Sequence, residues 1–167
     1  TSKSWSNVIW SASLQHEFDD HMVYLSASSG VRAGTFNTGA LRQTQVATVD
    51  PERILAFEAG AKSSWAGGRL RSNLAIYWYD LKGLQVFSFL PLTGQIGVPP
   101  QVLSNAAGSR NRGVELEIAA LLTDRVTLSA SVGYTDAKYT DYVVPLTRGA
   151  TTTQVDFSGN RLPRTPK

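Results

Sequence analysis

Long alternation of apolar and polar residues is the feature that most constrains this chain. Six segments show it, with large apolar side chains at one parity and mainly Ser, Thr, Gly and charged residues at the other. In the sixth segment, for example, Val126 and Leu128 alternate with Thr127 and Ser129. The segments cover residues 8–15, 22–35, 55–65, 69–78, 114–120 and 126–134. Successive side chains of a strand point to opposite faces, so the pattern predicts an all-β antiparallel sheet with one apolar face.

Short and long connections alternate between these segments. The short turns are residues 17–20, 66–68 and 123–125, and the long connections are roughly residues 36–50, 88–104 and 140–159. Tilted hairpins with short periplasmic turns and long extracellular loops are typical of outer-membrane barrels. The pattern therefore predicts a segment of an antiparallel transmembrane β-barrel, made of about six long strands.

The charged residues within the segments respect the same parity. Glu58, Lys62, Glu115 and Glu117 all lie at the polar parity. A strand Lys that faces lipid near the bilayer centre costs about 2–4 kcal/mol, so a one-residue slip is strongly disfavoured. We therefore expect these four residues to face the barrel lumen as structural residues, with the carboxylates paired with Arg or Lys across the sheet.

The tight turn at residues 66–68 predicts the register of two strands. If Trp65 lies opposite Leu70, then Lys62 faces Asn73 and Glu58 faces Tyr77. The alternative of Lys62 opposite Arg71 would place like charges together, which is unfavourable.

Aromatic residues are expected at the two rims of the apolar band. Trp65 and Trp78 lie at the apolar parity, near opposite ends of their segments. Aromatic girdles flank the lipid-facing band of such barrels. Tyr134, Tyr139 and Tyr142 are predicted to continue the upper rim.

The composition excludes several classes of protein. The chain has 167 residues, a net charge of +3 and no cysteine, so it has neither a disulfide framework nor a thiolate metal site. The basic residues are scattered apart from a loose cluster near residues 161–167, which argues against nucleic-acid binding. No segment approaches the roughly 20 apolar residues of a membrane helix.

Catalytic and metal-binding patterns are missing from the sequence. His16 and His21 flank a short turn, and two histidines without a third ligand make a poor metal site, so we expect hydrated turn residues. There is no Ser-His-Asp order and no Gly-rich phosphate loop. The sequence therefore predicts no enzyme, no metal and no cofactor.

Five motifs follow one another in an order that points to a family. They are the strand entering a loop at 24–37, "Pro-Glu … Phe-Glu-Ala-Gly-Ala-Lys" at 51–62, "Asn-Ala … Gly-Val-Glu-Leu-Glu" at 105–117, the strand at 133–139 and the loop returning to a strand at 159–166. Together they resemble the barrel of TonB-dependent outer-membrane receptors, with Phe57 in place of the usual Tyr.

The resemblance implies a barrel of about 22 strands closed by an N-terminal plug domain. Such receptors bind a scarce ligand, commonly a ferric siderophore, and import it with energy relayed by TonB, which would act through the plug. The chain begins inside a plausible strand and ends as another begins. Residues 1–167 are therefore expected to be part of the barrel domain, without the plug or the barrel ends. The other expected partners are the lipid bilayer and lipopolysaccharide.

Candidate ligand-binding residues lie at or near the long connections. They are Arg42, Arg110, Asn111 and Arg148. Positive charge there would attract an anionic ferric complex, bind lipopolysaccharide phosphates or merely hydrate the loops.

Two other interpretations remain at this point. A closed barrel of about eight strands would be a structural or adhesive envelope protein, but it needs ends that complete a barrel. A soluble β-sandwich binding module also has alternating strands, but it would bury the apolar face in a dry core.

Overall fold

The computed structural model describes residues 2–37, 47–89, 101–148 and 151–165. No helix among them is long and apolar enough to cross a membrane. The described residues form nine strands: β1 (Ser11–Phe18), β2 (His21–Arg32), β3 (Thr35–Phe36), β4 (Thr48–Val49), β5 (Glu52–Trp65), β6 (Leu70–Phe89), β7 (Gln101–Thr123), β8 (Val126–Arg148) and β9 (Thr151–Asp156).

Seven of the strands form one antiparallel sheet in the order β1-β2-β5-β6-β7-β8-β9. The small pair β3-β4 is inserted between β2 and β5. The six predicted segments correspond to β1, β2, β5, β6, β7 and β8, whereas β9 was not predicted. The all-β antiparallel prediction is therefore confirmed.

The predicted register between β5 and β6 is confirmed. Trp65 pairs with Leu70, Lys62 with Asn73 and Glu58 with Tyr77. The connecting turn has positive φ at Ala66, Gly67 and Gly68, with values of 52°, 63° and 86°. Glycine adopts this backbone conformation without a steric penalty, which is how so short a sequence reverses the chain.

Three strands are much longer than predicted. β6 has 20 residues, and β7 and β8 have 23 each. Much of the predicted loop 140–159 is therefore wrong, because β8 continues to Arg148 and pairs with β9. β-bulges between Leu81 and Leu84, and between Gly108 and Ser109, shift the register. A bulge interrupts the two-residue period, so the alternation fades before the strand ends.

The sheet has an apolar face and a polar face, and the apolar face is uncovered. Leu55, Phe57 and Leu128 are 37%, 44% and 57% exposed. The other large side chains of this face include Leu14, Leu25, Leu74, Ile76, Val114 and Val132. A sandwich would bury them under a second sheet, and the described residues form no such layer.

The two ends of the sheet also differ. The short-turn end carries the β1-β2, β5-β6 and β7-β8 turns, and the long-loop end lies opposite. A strand crosses a bilayer in about 9–11 residues. β6, β7 and β8 are about twice that length, so they extend well past the apolar band at the long-loop end.

Candidate functional site

A tyrosine cluster centred on Glu58 occupies the polar face. The Tyr24 hydroxyl donates to Glu58 Oε1 at 2.7 Å, and the Tyr79 hydroxyl donates to Oε2 at 3.4 Å. Tyr77 stacks on Tyr79 with ring centroids 5.0 Å apart, and its hydroxyl lies 2.8 Å from Thr135 Oγ1. These contacts join β2, β5, β6 and β8 through side chains in addition to the backbone ladder.

Two glycines make room for these rings. Tyr24 lies directly opposite Gly60, and Tyr77 lies opposite Gly113. A Cβ atom at either glycine would collide with the facing tyrosine ring. An aromatic ring laid over a cross-strand glycine pins the register of a pair. Tyrosine facing glycine is the sequence signal for this cluster, and it becomes readable only when the register is known.

The four predicted lumen-facing residues all lie on the polar face. They are Glu58, Lys62, Glu115 and Glu117. Lys62 Nζ lies 6.0 Å from the centre of the Tyr24 ring. Glu117 Oε2 accepts a hydrogen bond from Asn73 Nδ2 at 3.3 Å.

The prediction that the carboxylates form ion pairs with Arg or Lys across the sheet is wrong. Glu115 faces Ala75 and Gly133, so no cation is opposite it. Arg71 pairs with Ala119, in the next row of the polar face from Asn73 and Glu117. The register between β6 and β7 therefore places Arg71 diagonally from Glu117 and not directly opposite it.

A second cluster lies on the apolar face at the long-loop end, where apolar residues give way to charges in a single row. Ile76, Val114 and Tyr134 are opposite one another, and the next row toward the loops carries charged residues. We call the charged residues of this row and of the row beyond it, together with Trp78, the outer cluster; its members are Trp78, Asp80, Arg110, Arg112, Asp136 and Lys138.

The carboxylates of the outer cluster lie beneath its cations. Arg112 Nη2 and Lys138 Nζ contact the two oxygens of Asp136 at 3.1 and 3.0 Å, and the Asp136 side chain is only 10% exposed. Arg110 Nε contacts Asp80 Oδ1 at 3.1 Å. The three cations are 43–53% exposed, so the cluster presents positive charge outward.

Trp78 supports the two arginines. Its indole Nε1 donates to Asp80 Oδ2 at 2.9 Å, and the Arg110 and Arg112 guanidinium carbons lie 4.6 and 5.6 Å from the ring centre. Trp65 lies on the same face at the other end of the sheet. The two tryptophans thus occupy opposite ends of the apolar band, as predicted.

The upper-rim prediction is wrong for two of the three tyrosines. Tyr134 lies on the apolar face, but Tyr139 and Tyr142 pair with Ser109 and Ala107, whose side chains lie on the polar face. The bulge opposite Gly108 and Ser109 adds one residue to β8 between Tyr139 and Tyr142. Both tyrosine rings therefore lie on the same face. Their centroids are 4.6 Å apart.

The predicted ligand-binding residues do not form one site. Arg110 lies on the apolar face, whereas its neighbour Asn111 lies on the polar face opposite Tyr79. Asn111 Oδ1 is buried and has no hydrogen-bond partner among the described residues. Arg148 ends β8 and pairs through its backbone with Thr151, and Arg42 lies outside the described residues.

A polar clamp ties the entry of β5 to its neighbours at the long-loop end. Asn105 Nδ2 donates to the Asp50 carbonyl at 2.8 Å, and Asn105 Oδ1 accepts from the Asp50 amide at 2.6 Å. Lys3 Nζ donates to the Asp50 carboxylate at 2.8 Å, and this bond lowers the pKa of that carboxyl group. The clamp holds residues 47–52 against β7.

The histidines belong to an aromatic group at the short-turn end. His16 stacks on Phe18 at 5.9 Å, and His21 lies 4.4 Å from the Trp65 ring. They are therefore more than hydrated turn residues, because the short turn brings the rings of β1, β2 and β5 together. No group of three or more metal-ligating side chains occurs in the described part of the chain.

Comparison with known proteins identifies the family. The chain is similar over 138 residues, at 25% identity, to the "Probable TonB-dependent siderophore receptor PiuA" of Acinetobacter baumannii. The match covers 83% of this chain and 17% of that receptor. No solved structure matches the chain. The family model described as TonB dependent receptor-like, beta-barrel, matches residues 1–167. The chain therefore belongs to the β-barrel family of TonB-dependent receptors.

Proposed function

We propose that this chain is part of an outer-membrane receptor that imports a ferric siderophore with energy from TonB. The observation that carries the proposal is the family match over the whole chain. The family comprises outer-membrane transporters, not enzymes. A distant relative named as a siderophore receptor supports the choice of ligand class.

The two faces of the sheet suit such a receptor. The uncovered apolar face would contact lipid, because hydrocarbon is the solvent in which exposed Leu and Val side chains cost nothing. The polar face would line the lumen and face the plug domain, through which TonB would act. Residues 1–167 would then be a partial barrel domain, with the plug and the barrel ends contributed by the rest of the receptor.

Ligand contact is proposed at the polar face of the long-loop end. Asn111 is the best described candidate, because its partly buried side chain lies on the polar face opposite Tyr79. Arg42 and Arg148 would add positive charge to the adjacent loops. Arg110 lies on the apolar face and is not part of this site.

Uptake of radiolabelled ferric siderophores by cells that carry the full-length receptor tests this proposal. We expect uptake under iron limitation that disappears when either the receptor or TonB is deleted. Asn111→Ala should raise the apparent Kd of the ferric complex, and Ser131→Ala, on the same face near the short turns, should leave it unchanged. Unchanged ferric-siderophore uptake after deletion of the receptor, with loss of haem or cobalamin uptake instead, would contradict the siderophore assignment.

A further inference from the structure

The segment that precedes β1 lies across the base of the β2-β5 connection. Residues 3–7 form no strand, and we call them the strap. β1 runs toward the β1-β2 turn, so the strap lies at the long-loop end of the sheet. Its side chains contact β3, β4 and the start of β5. Two neighbouring connections of the sheet therefore meet at this point.

Trp5 packs the strap against the β3-β4 pair. Its ring lies so close to Gly34 that a Cβ atom there would be 2.7 and 2.8 Å from two ring carbons. The centre of the Trp5 ring is 6.4 Å from that of Phe36. The carbonyl oxygen of Val49 borders the same space, and Val49 is only 1% exposed. The strap and the β3-β4 pair thus share a small packed group outside the main sheet.

Asp50 joins the strap to the main sheet through two different parts of the residue. Its backbone amide and carbonyl bond to the Asn105 side chain of β7 at 2.6 and 2.8 Å. Its carboxylate accepts from Trp5 Nε1 at 3.0 Å and from Lys3 Nζ at 2.8 Å. Loss of the carboxylate would therefore release the strap and leave the backbone bonds to β7 in place.

Side chains alone make the polar bonds of the strap to these strands. Asn7 Oδ1 accepts from Arg53 Nε and Nη2 at 3.1 and 2.9 Å, and Lys3 Nζ also donates to Thr48 Oγ1 at 3.2 Å. Among the described residues, no backbone hydrogen bond joins the strap to β3, β4 or β5. Exposed side-chain bonds are individually weak, so the strap can be released without unfolding a strand.

The strap contacts a connection whose two ends are held side by side. The Asn37 amide donates to the Ala47 carbonyl at 3.0 Å, and the Ala47 amide donates to Asn37 Oδ1 at 3.4 Å. On the sheet side, Gln85 Nε2 of β6 donates to the Ala33 carbonyl at 3.0 Å and to the Asp50 carbonyl at 3.1 Å. The sheet therefore holds this base from one side, and the strap holds it from the other.

We propose that Trp5 and Asp50 are positioning residues that fasten the segment before β1 to the β2-β5 connection before any ligand binds. The two neighbouring connections then form one preorganised unit at the long-loop end. A preorganised loop loses less conformational entropy on binding, so this unit favours tight binding of the ligand. The effect on the ligand rests on the function proposed above, whereas the fastening of the two connections does not.

The motion of a nitroxide label at residue 6 tests the fastening. Ser6 is exposed and lies within the strap, so a single cysteine there carries the label. In the full-length receptor in bilayers without ligand, electron paramagnetic resonance should show slow motion. Trp5→Ala and Asp50→Asn should both make it fast. Trp5→Phe, which keeps a ring and loses only the indole N–H, should have a smaller effect.

Asp124→Asn is the matched control for the carboxylate. Asp124 is an exposed acid that pairs with Arg69 at 3.4 Å, at the short-turn end of the sheet. Its replacement should leave the label slow. Fast motion in the receptor without these substitutions, or equal effects of D50N and D124N, would overturn the proposal.

Thermal unfolding separates release of the strap from damage to the sheet. Asp50→Asn keeps the backbone bonds to Asn105, so the midpoint of the receptor should stay unchanged. Asn105→Ala removes those bonds and should lower it. A midpoint that falls as far with D50N as with N105A would mean that the carboxylate stabilises the sheet, and it would overturn the assignment of Asp50 to the strap.

Equilibrium binding tests the positioning role. The probe is the ferric siderophore that the full-length receptor takes up in the experiment above. Asp50→Asn should raise its apparent Kd on the order of tenfold, because the apparent Kd rises as the preorganised fraction falls. Asp124→Asn should leave it unchanged. A fast label with an unchanged Kd would overturn the positioning role. If no ferric siderophore is taken up, the function proposed above fails, and the label measurement still decides whether the strap is fastened.

Discussion

The two faces of this sheet differ in how their side chains are used. On the apolar face, Leu25, Ile76 and Val132 are 58%, 55% and 66% exposed, and no second layer covers them in the described residues. On the polar face, tyrosine rings lie over Gly60 and Gly113 and hydrogen-bond to Glu58 and Thr135. The apolar face is suited to a hydrocarbon solvent. The polar face is held together by contacts between particular side chains.

This difference implies two kinds of sensitivity to mutation. A residue of the apolar band should be replaceable by another apolar residue but not by a charge. A residue of the tyrosine cluster should be sensitive to the addition of a single methyl group, because its neighbours are in direct contact. Comparing adjacent positions on the two faces therefore tests the account better than comparing distant ones.

The largest effect is expected from a charge in the apolar band. Leu74→Lys should destabilise the full-length receptor in bilayers by about 2–4 kcal/mol, the cost of lysine facing lipid near the midplane. The neighbouring Asn73→Lys places the same charge on the polar face between Glu117 and Lys62, whose opposing effects of about 0.2–1 kcal/mol each should keep its cost below about 1 kcal/mol. The free energy of unfolding from urea titration in lipid vesicles measures both. Equal costs would mean that the two faces have the same surroundings.

A smaller effect is expected from a methyl group on the polar face. Gly60→Ala should cost about 1–3 kcal/mol, because the new Cβ collides with the Tyr24 ring. Gly133→Ala on the same face is the matched control, since its Cβ would lie 3.7 Å from Glu115 Cγ, an ordinary contact. Thermal unfolding in detergent would show a lower midpoint for G60A alone. If both variants melt together, the ring-over-glycine contact does not stabilise the sheet.

The smallest effect is expected from one hydroxyl group. Tyr24→Phe removes the 2.7 Å hydrogen bond to Glu58 and should cost about 1 kcal/mol, below the usual range for a charged acceptor because the site is only partly buried. Tyr134→Phe removes a hydroxyl from a ring that is 59% exposed on the apolar face, and it should cost nothing measurable. The same unfolding titration compares the two, and an equal or larger loss for Y134F would contradict this order.

Much of the sheet was readable from the sequence because period-2 alternation is a local signal. The face assignments of Glu58, Lys62, Glu115 and Glu117 followed from parity, and one tight turn was enough to predict that Lys62 faces Asn73. The bulges interrupt that signal, so the continuation of β6, β7 and β8 and the existence of β9 were missed.

The clusters were harder to predict because they depend on pairs of strands. The parity of Val114 and Tyr134 continues to Arg110, Arg112 and Lys138. The face on which these cations lie could therefore be predicted by extending β7 and β8 past the apolar band. The partners of Arg110 and Arg112 are Asp80 and Asp136, which lie on β6 and β8 and meet β7 only in the folded sheet. Ligand identity depends on loops, including the position of Arg42, which lies outside the described residues.

Spin-label accessibility along β8 tests the central claim most directly. Residues 1–167 contain no cysteine. A single cysteine introduced at each successive position from 126 to 138 would therefore give one label site in this part of the receptor. In the full-length receptor in bilayers, we expect labels at Val126, Leu128, Val132 and Tyr134 to be accessible to oxygen and protected from a water-soluble nickel complex. Labels at Thr127, Ser129 and Ser131 should be accessible to the nickel complex and protected from oxygen. A label at position 136 should also be accessible to the nickel complex. Accessibility without a two-residue period, or apolar positions shielded from oxygen, would contradict the account.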